Sequence, residues 1–170
     1  MRVELTQLRE MSASMTDQFV ELRYGLEKFK SDWRQCSLGS DFLAETAFST
    51  ARAKEIASTV VNEFLELAFR LSASASKSWV QTMVFPGQTM TLELDVVVRP
   101  ELLSDVKTQL LSFRDDPAAY YESQLGADAP GVFFGIGYLA HDLAAVISTH
   151  LKADVLLIRG NVNLLEQAHA

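Results

Sequence analysis

Glu63 carries the strongest hint of chemistry in this 170-residue chain, because it breaks an otherwise apolar helical stripe. At roughly 100° per residue, Ile56, Val60, Phe64, Leu67 and Leu71 fall within one quadrant of a helix. Glu63 projects close to Ile56 and Leu67, at the edge of that face. A carboxylate there needs a partner, a ligand or a solvent-filled cleft. Arg70 lies two turns on along the same edge, and Glu66 precedes it by four residues. The plain reading is a solvated charge cluster. The sharper reading is a Glu at the mouth of a ligand pocket. A second candidate is Gly135-Ile136-Gly137, where a loop enters an apolar helix. Glycines there let backbone N–H groups approach phosphate oxygens, but they equally permit close helix packing.

Other chemistry is poorly supported. His141 and His150 are predicted on one helix at nearly opposite azimuths, and His169 lies in the tail. That spacing does not suit a metal, and no metal site is expected. Cys36 is the single cysteine, so an internal disulfide and a multi-cysteine zinc site are excluded. It has no local His partner and reads as structural. No GxSxG, HExxH or full phosphate-loop motif occurs. Asp115, Asp116 and Glu122 read as cap and surface charges.

The elements that must position these residues can be taken in order. Val3 to Met15 is weakly helical by pattern, and Val20 to Leu26 alternates as a half-buried strand that begins after Phe19. Ser40 or Asp41 suits the cap of a helix running into Thr46 to Phe48. Ser49 to Ser72 is the longest uninterrupted helical pattern, with Ser49 or Thr50 as its cap and a polar loop, SASASKS, after it. Trp79 to Val98 predicts a hairpin around Pro86-Gly87-Gln88, with Met90, Leu92, Leu94, Val96 and Val98 on one face. Pro100 to Phe113 predicts a helix with Leu102, Leu103, Val106, Leu110 and Leu111 as its apolar set. Asp116-Pro117 predicts a cap and first residue of another helix, to about Gln124. GADAPG, residues 126 to 131, is a loop. Phe133 to Leu151 predicts a helix and Ala153 to Arg159 a short buried strand. The order of elements implies an α+β two-layer sandwich, a mixed sheet with helices on one face. One domain spans 1–170, with residues 1–30 a candidate N-terminal extension.

The formal charge is −7, which disfavours nonspecific binding to nucleic acid or an anionic membrane. No apolar run reaches the roughly 20 residues a membrane span needs, and MRVELTQLREM lacks the apolar core of a signal peptide. A cytoplasmic protein is expected.

Three stretches together resemble the divergent histidine-kinase-like ATPases, the GHKL superfamily, related to anti-sigma-factor serine kinases. Trp33-Arg34, Leu38 and Asp41-Phe42-Leu43-Ala44 are similar to the family's WR…L..DFLA segment. Asn62-Glu63-Phe64-Leu65-Glu66-Leu67-Ala68 resembles its NExxENA helix. Gly135-Ile136-Gly137-Tyr138-Leu139, with Asp142 after it, resembles its late GLGLL…D segment. The resemblance covers roughly residues 30 to 160 and implies a Bergerat-like sandwich in a signalling context. It implies Glu63 as the remnant general base, and Glu63, Gly135, Gly137 and Tyr138 as the positions for any weak ATP or ADP binding. Two departures matter. Leu67 stands where the family's magnesium-binding Asn would be, and Val97 to Ser104, VVRPELLS, lacks the adenine-reading Asp and the glycines of the DxGxG loop. The expectation is therefore a non-catalytic regulatory domain that binds a STAS-type antagonist, with a response regulator upstream. The rivals are an ATP-dependent serine kinase and a structural module, with a homodimer as one form.

Overall fold

The computed structural model of the protein describes residues 13–16, 19–25, 40–42, 44–45, 48, 50–73, 79–85 and 89–164. Its centre is helix α1, Ala51–Leu71. Thr50 is the cap: its backbone is extended and its side chain accepts the Ala53 N–H at 3.2 Å. Ile56, Val60, Phe64, Leu67 and Leu71 are all buried, as their phase requires. Val61 and Leu65 are buried too, so α1 is covered on more than its sheet-facing side. Residues 40–42 already have helical backbone, so neither Ser40 nor Asp41 is a cap. Their side chains tie this segment to α1 instead, Ser58 Oγ lying 3.4 Å from Ser40 Oγ and donating to Asp41 Oδ1 at 2.9 Å.

Among the described residues six strands form one sheet: β1 Ala13–Thr16, β2 Phe19–Gly25, β3 Trp79–Phe85, β4 Thr89–Val97, β5 Val146–Lys152 and β6 Val155–Asn163. Their order is β1-β2-β3-β4-β6-β5. The α+β class holds, but the sheet is not mixed: every pairing among the described strands is antiparallel. One helix between neighbouring strands would make them parallel. The β2-to-β3 connection contains helical backbone at 40–42 and 44–45 as well as α1, and β3 runs antiparallel to β2. β1 and β2, within the stretch set aside as an N-terminal extension, are strands of this sheet. Ala13–Thr16 is strand, not helix, and β2 starts at Phe19, which pairs with Thr16.

The hairpin is as its alternation requires. Met90, Leu92, Leu94 and Val96 are fully buried, and Val80 and Thr82 stand opposite Leu94 and Leu92 in register. α1 packs on β4 and β3. On the other face Arg159 forms an ion pair with Glu93. Phe64 of α1 reaches the sheet at Gly160 of β6: a Cβ there would sit 2.8 Å from Phe64 Cζ and 3.2 Å from Ile147 Cδ1. Gly160 is the socket into which the ring fits.

After β4 the chain makes a 3-10 turn at Pro100–Leu102 and enters α2, Leu103–Asp115. Val106, Leu110 and Phe113 form its buried face, whereas Leu111, placed in the apolar set from the pattern, is 68% exposed. It lies one residue, about a quarter turn, past Leu110. Asp116 caps α3, Pro117–Gln124, accepting from the Ala119 N–H at 3.0 Å. The long helix expected from Phe133 to Leu151 is instead α4, Phe134–Asp142, followed by β5. Ala144 takes φ +47, which no helix continues through, and the Ala145 N–H bonds back to Leu139 O at 3.0 Å. β6 runs Val155–Asn163, longer than the strand expected there, and pairs with both β4 and β5. Trp33, Arg34, Leu38, Cys36, His169 and the Pro86–Gln88 turn lie outside the described residues.

Candidate functional site

The two glycines of Gly135-Ile136-Gly137 do different work. A Cβ on Gly135 would overlap the Glu63 carboxylate, so the carboxylate can rest against the first turn of α4 where it does because residue 135 has no side chain. A Cβ on Gly137 would sit 3.0 Å from both Pro117 O and Tyr121 Cβ. That glycine lets α4 pack on α3. The sequence left phosphate approach and helix packing open. Gly137 serves packing, and Gly135 meets a carboxylate.

Between α1 and α4 is a cleft of about 220 Å³. Glu63, Glu66, Leu67 and Arg70 line it from α1, and Phe134, Gly135, Ile136 and Tyr138 from the α4 side. Tyr121 of α3 and Pro130 and Val132 of the preceding loop complete the lining. The Glu66–Arg70 pair expected from the spacing is formed, N to O 2.6 Å, so these two charges neutralise each other. Glu63 makes no hydrogen bond or ion pair with any described residue. Burial raises its pKa, the Glu66 charge raises it further, and Arg70 opposes in part. Tyr138 is also held above its ordinary value, first by burial and then by Asp142, Tyr121 and Glu63, with Arg52 opposing. The site residues Glu63, Gly135 and Tyr138 are thus brought together, with Gly137 behind them.

The aromatic wall was not foreseen. Tyr121 lies 4.8 Å from Phe134, 6.0 Å from Tyr138 and 5.2 Å from His141, ring centre to ring centre. α3 shows no clean apolar period that would have marked Tyr121, and adjacent Tyr120 points elsewhere, into the core against Phe113. Gln109 was missed as well. Its Oε1 accepts from Tyr120 Oη at 2.7 Å and from the Val132 N–H at 2.8 Å. Gln124 Oε1 accepts the Gly131 N–H at 3.1 Å. These bonds pin the end of the 126–131 loop beside the cleft. Gln109→Ala is expected to lose about 1–3 kcal/mol, because two partners lose their acceptor. Chemical denaturation measures the loss, and faster amide exchange at Val132 is the local sign. Unchanged exchange there would contradict the pinning role.

Glu63 also sets a pH dependence. Its folded pKa lies above the unfolded value of 4.5. The native chain therefore keeps a proton over a window in which the unfolded chain has released it. That contribution is fully present below the unfolded pKa and is lost as pH rises through the folded one. Glu63→Gln, neutral at every pH, is expected to be more stable than the parent at about pH 8 and to lose that advantage below about pH 4. Denaturation midpoints across this range test it. An equal difference at both ends would mean that the carboxylate is solvated.

The residues do not fit a magnesium ion. Leu67 is 3% exposed and has no oxygen to offer where the resemblance would place a ligand. Among the described residues no group of three or more His, Cys, Asp or Glu side chains could hold a metal. His141 is on α4 beside Glu122, at 3.1 Å, while His150 is on β5, so the two histidines do not share a helix. The VVRPELLS segment serves as structure. The Arg99 N–H donates to Leu71 O at 2.9 Å and its guanidinium bonds Arg70 O, fastening the end of β4 to the end of α1. Among the described residues no helix is long and apolar enough to cross a membrane. No protein-family model matches the chain, and no curated protein matches it.

Proposed function

We propose that this protein is a cytoplasmic, GHKL-like regulatory domain that binds a protein partner and transfers no phosphoryl group. The partner is a STAS-type antagonist in a partner-switching pathway, with a response regulator upstream. The mechanism is sequestration: a surface of the domain is occupied by the partner or left free. One observation carries the reading. Glu63, the base position, faces a cleft in which the next position toward a metal, Leu67, is a buried hydrocarbon. Phosphoryl transfer draws most of its acceleration from positioning and charge stabilisation, and a carboxylate alone supplies neither metal nor cationic donor. The small cleft and the structural use of Arg99 support the same reading.

One observation favours the serine-kinase alternative. Burial raises the Glu63 pKa, which suits a general base. Calorimetric titration of the purified chain with STAS-domain proteins of the same organism, with and without magnesium and ATP, separates the readings. A one-to-one complex without nucleotide is expected. Binding that requires both nucleotide and magnesium would favour the kinase, and no binding in any condition would favour a structural dimerisation module.

A further inference from the structure

We infer that the α1–α4 cleft receives the guanidinium of an arginine side chain presented by the protein partner. This rests on the partner-binding reading and gives it a point of contact. The charges select a cation. Glu66 and Arg70 pair at 2.6 Å, which leaves the lining with one net negative charge, carried by Glu63. Its carboxylate has no hydrogen-bond partner among the described residues. It lies against Gly135, at the end of α4 that an anion would otherwise seek, so a phosphate entering there meets negative charge at contact distance.

Size and walls narrow the choice. A volume of about 220 Å³ falls below the roughly 300–1,000 Å³ of pockets that enclose whole small-molecule ligands, and suits one inserted side chain. Phe134, Tyr121 and Tyr138 line it with aromatic rings. A planar guanidinium stacks on such rings and presents paired N–H donors to a carboxylate, whereas an ammonium offers a point charge. The chain's charge of −7 adds long-range attraction for a basic partner surface.

The test follows backbone amide resonances of the ¹⁵N-labelled full chain. The probes are Nα-acetyl-arginine methylamide, its lysine and citrulline counterparts, free L-arginine and inorganic phosphate. The blocked arginine is expected to produce saturable shifts centred on Leu67, Gly135 and Tyr138. Citrulline, neutral but of the same shape, should bind at least tenfold more weakly, and lysine more weakly than arginine. Glu63→Gln should weaken arginine binding at least tenfold without lowering the melting temperature. Gly135→Ala, whose Cβ displaces the carboxylate, should do the same. Equal binding of citrulline, undiminished binding by Glu63→Gln, or phosphate acting at Gly135 in place of arginine would overturn the inference. Free L-arginine binding more tightly than the blocked residue would point to a metabolite and overturn the partner as source. The function and the site fail separately. A STAS partner bound equally well by Glu63→Gln removes the arginine contact and leaves the function. Arginine bound in the cleft with no STAS partner keeps the site and discards that partner.

Discussion

Phe64→Ala is expected to destabilise the protein by about 3–5 kcal/mol, the range for truncating a fully buried aromatic. Phe64 is 0% exposed, and its ring ends against Gly160. Removing it leaves a hole at the junction of α1, β6 and β5, where a backbone sheet cannot collapse to fill the space. The same junction predicts the converse. Gly160→Val would drive two methyl groups into the Phe64 ring and Ile147, an overpacking effect of about 1–3 kcal/mol. A double-mutant cycle joining Phe64→Leu with Gly160→Ala should recover part of the single losses, because the smaller side chain vacates the space the new methyl needs. Urea denaturation of the four proteins of the cycle and of Phe64→Ala gives the answer. A Phe64→Ala loss below about 1 kcal/mol, or strict additivity in the cycle, would mean the ring does not seat on Gly160.

Phe113→Ala is expected to have an effect of the same size, about 3–5 kcal/mol, with a different local consequence. Phe113 is 0% exposed, stacks on Phe133 at 4.8 Å and meets Tyr120 edge-on at 5.5 Å. Phe133 directly precedes α4, and Tyr120 holds Gln109, which holds Val132. The three rings therefore set where the α4 side of the cleft stands. Phe113→Ala should loosen the chain from Gly131 to Gly135 before α1 is affected. Hydrogen exchange should show early loss of protection at Val132 and Gly137, with α1 amides protected nearly as before. Uniform loss across α1 and α4 would make the aromatic cluster part of one undivided core.

Much of the frame was legible because burial imposes a period. Ile56, Val60, Phe64, Leu67 and Leu71 repeat at the helical spacing, and Met90, Leu92, Leu94 and Val96 alternate as a strand with one buried face must. Asp116-Pro117 was readable from cap chemistry alone. Phe133 to Leu151 was not, because a nearly continuous apolar run fits a buried helix and a strand equally. The break there is the positive φ of Ala144, a conformation alanine does not advertise. The direction of the sheet was not legible, because the pattern within a strand says nothing about which way its neighbour runs. At the site, Glu63 was conspicuous as a charge on an apolar edge. Its contact with Gly135 joins residues far apart in sequence, and Tyr121, Phe134 and Gln109 acquire their roles only through tertiary packing.

A γ-phosphate transfer assay tests directly whether the protein acts as a kinase. Purified protein is incubated with radiolabelled ATP, magnesium and the STAS-domain protein proposed as its partner, beside Glu63→Ala. No labelled partner is expected from either protein, because Leu67 gives no oxygen to a metal and Glu63 alone stabilises little of the charge on a moving phosphoryl group. Labelling of the partner by the parent chain, lost in Glu63→Ala, would contradict it and make the protein a serine kinase.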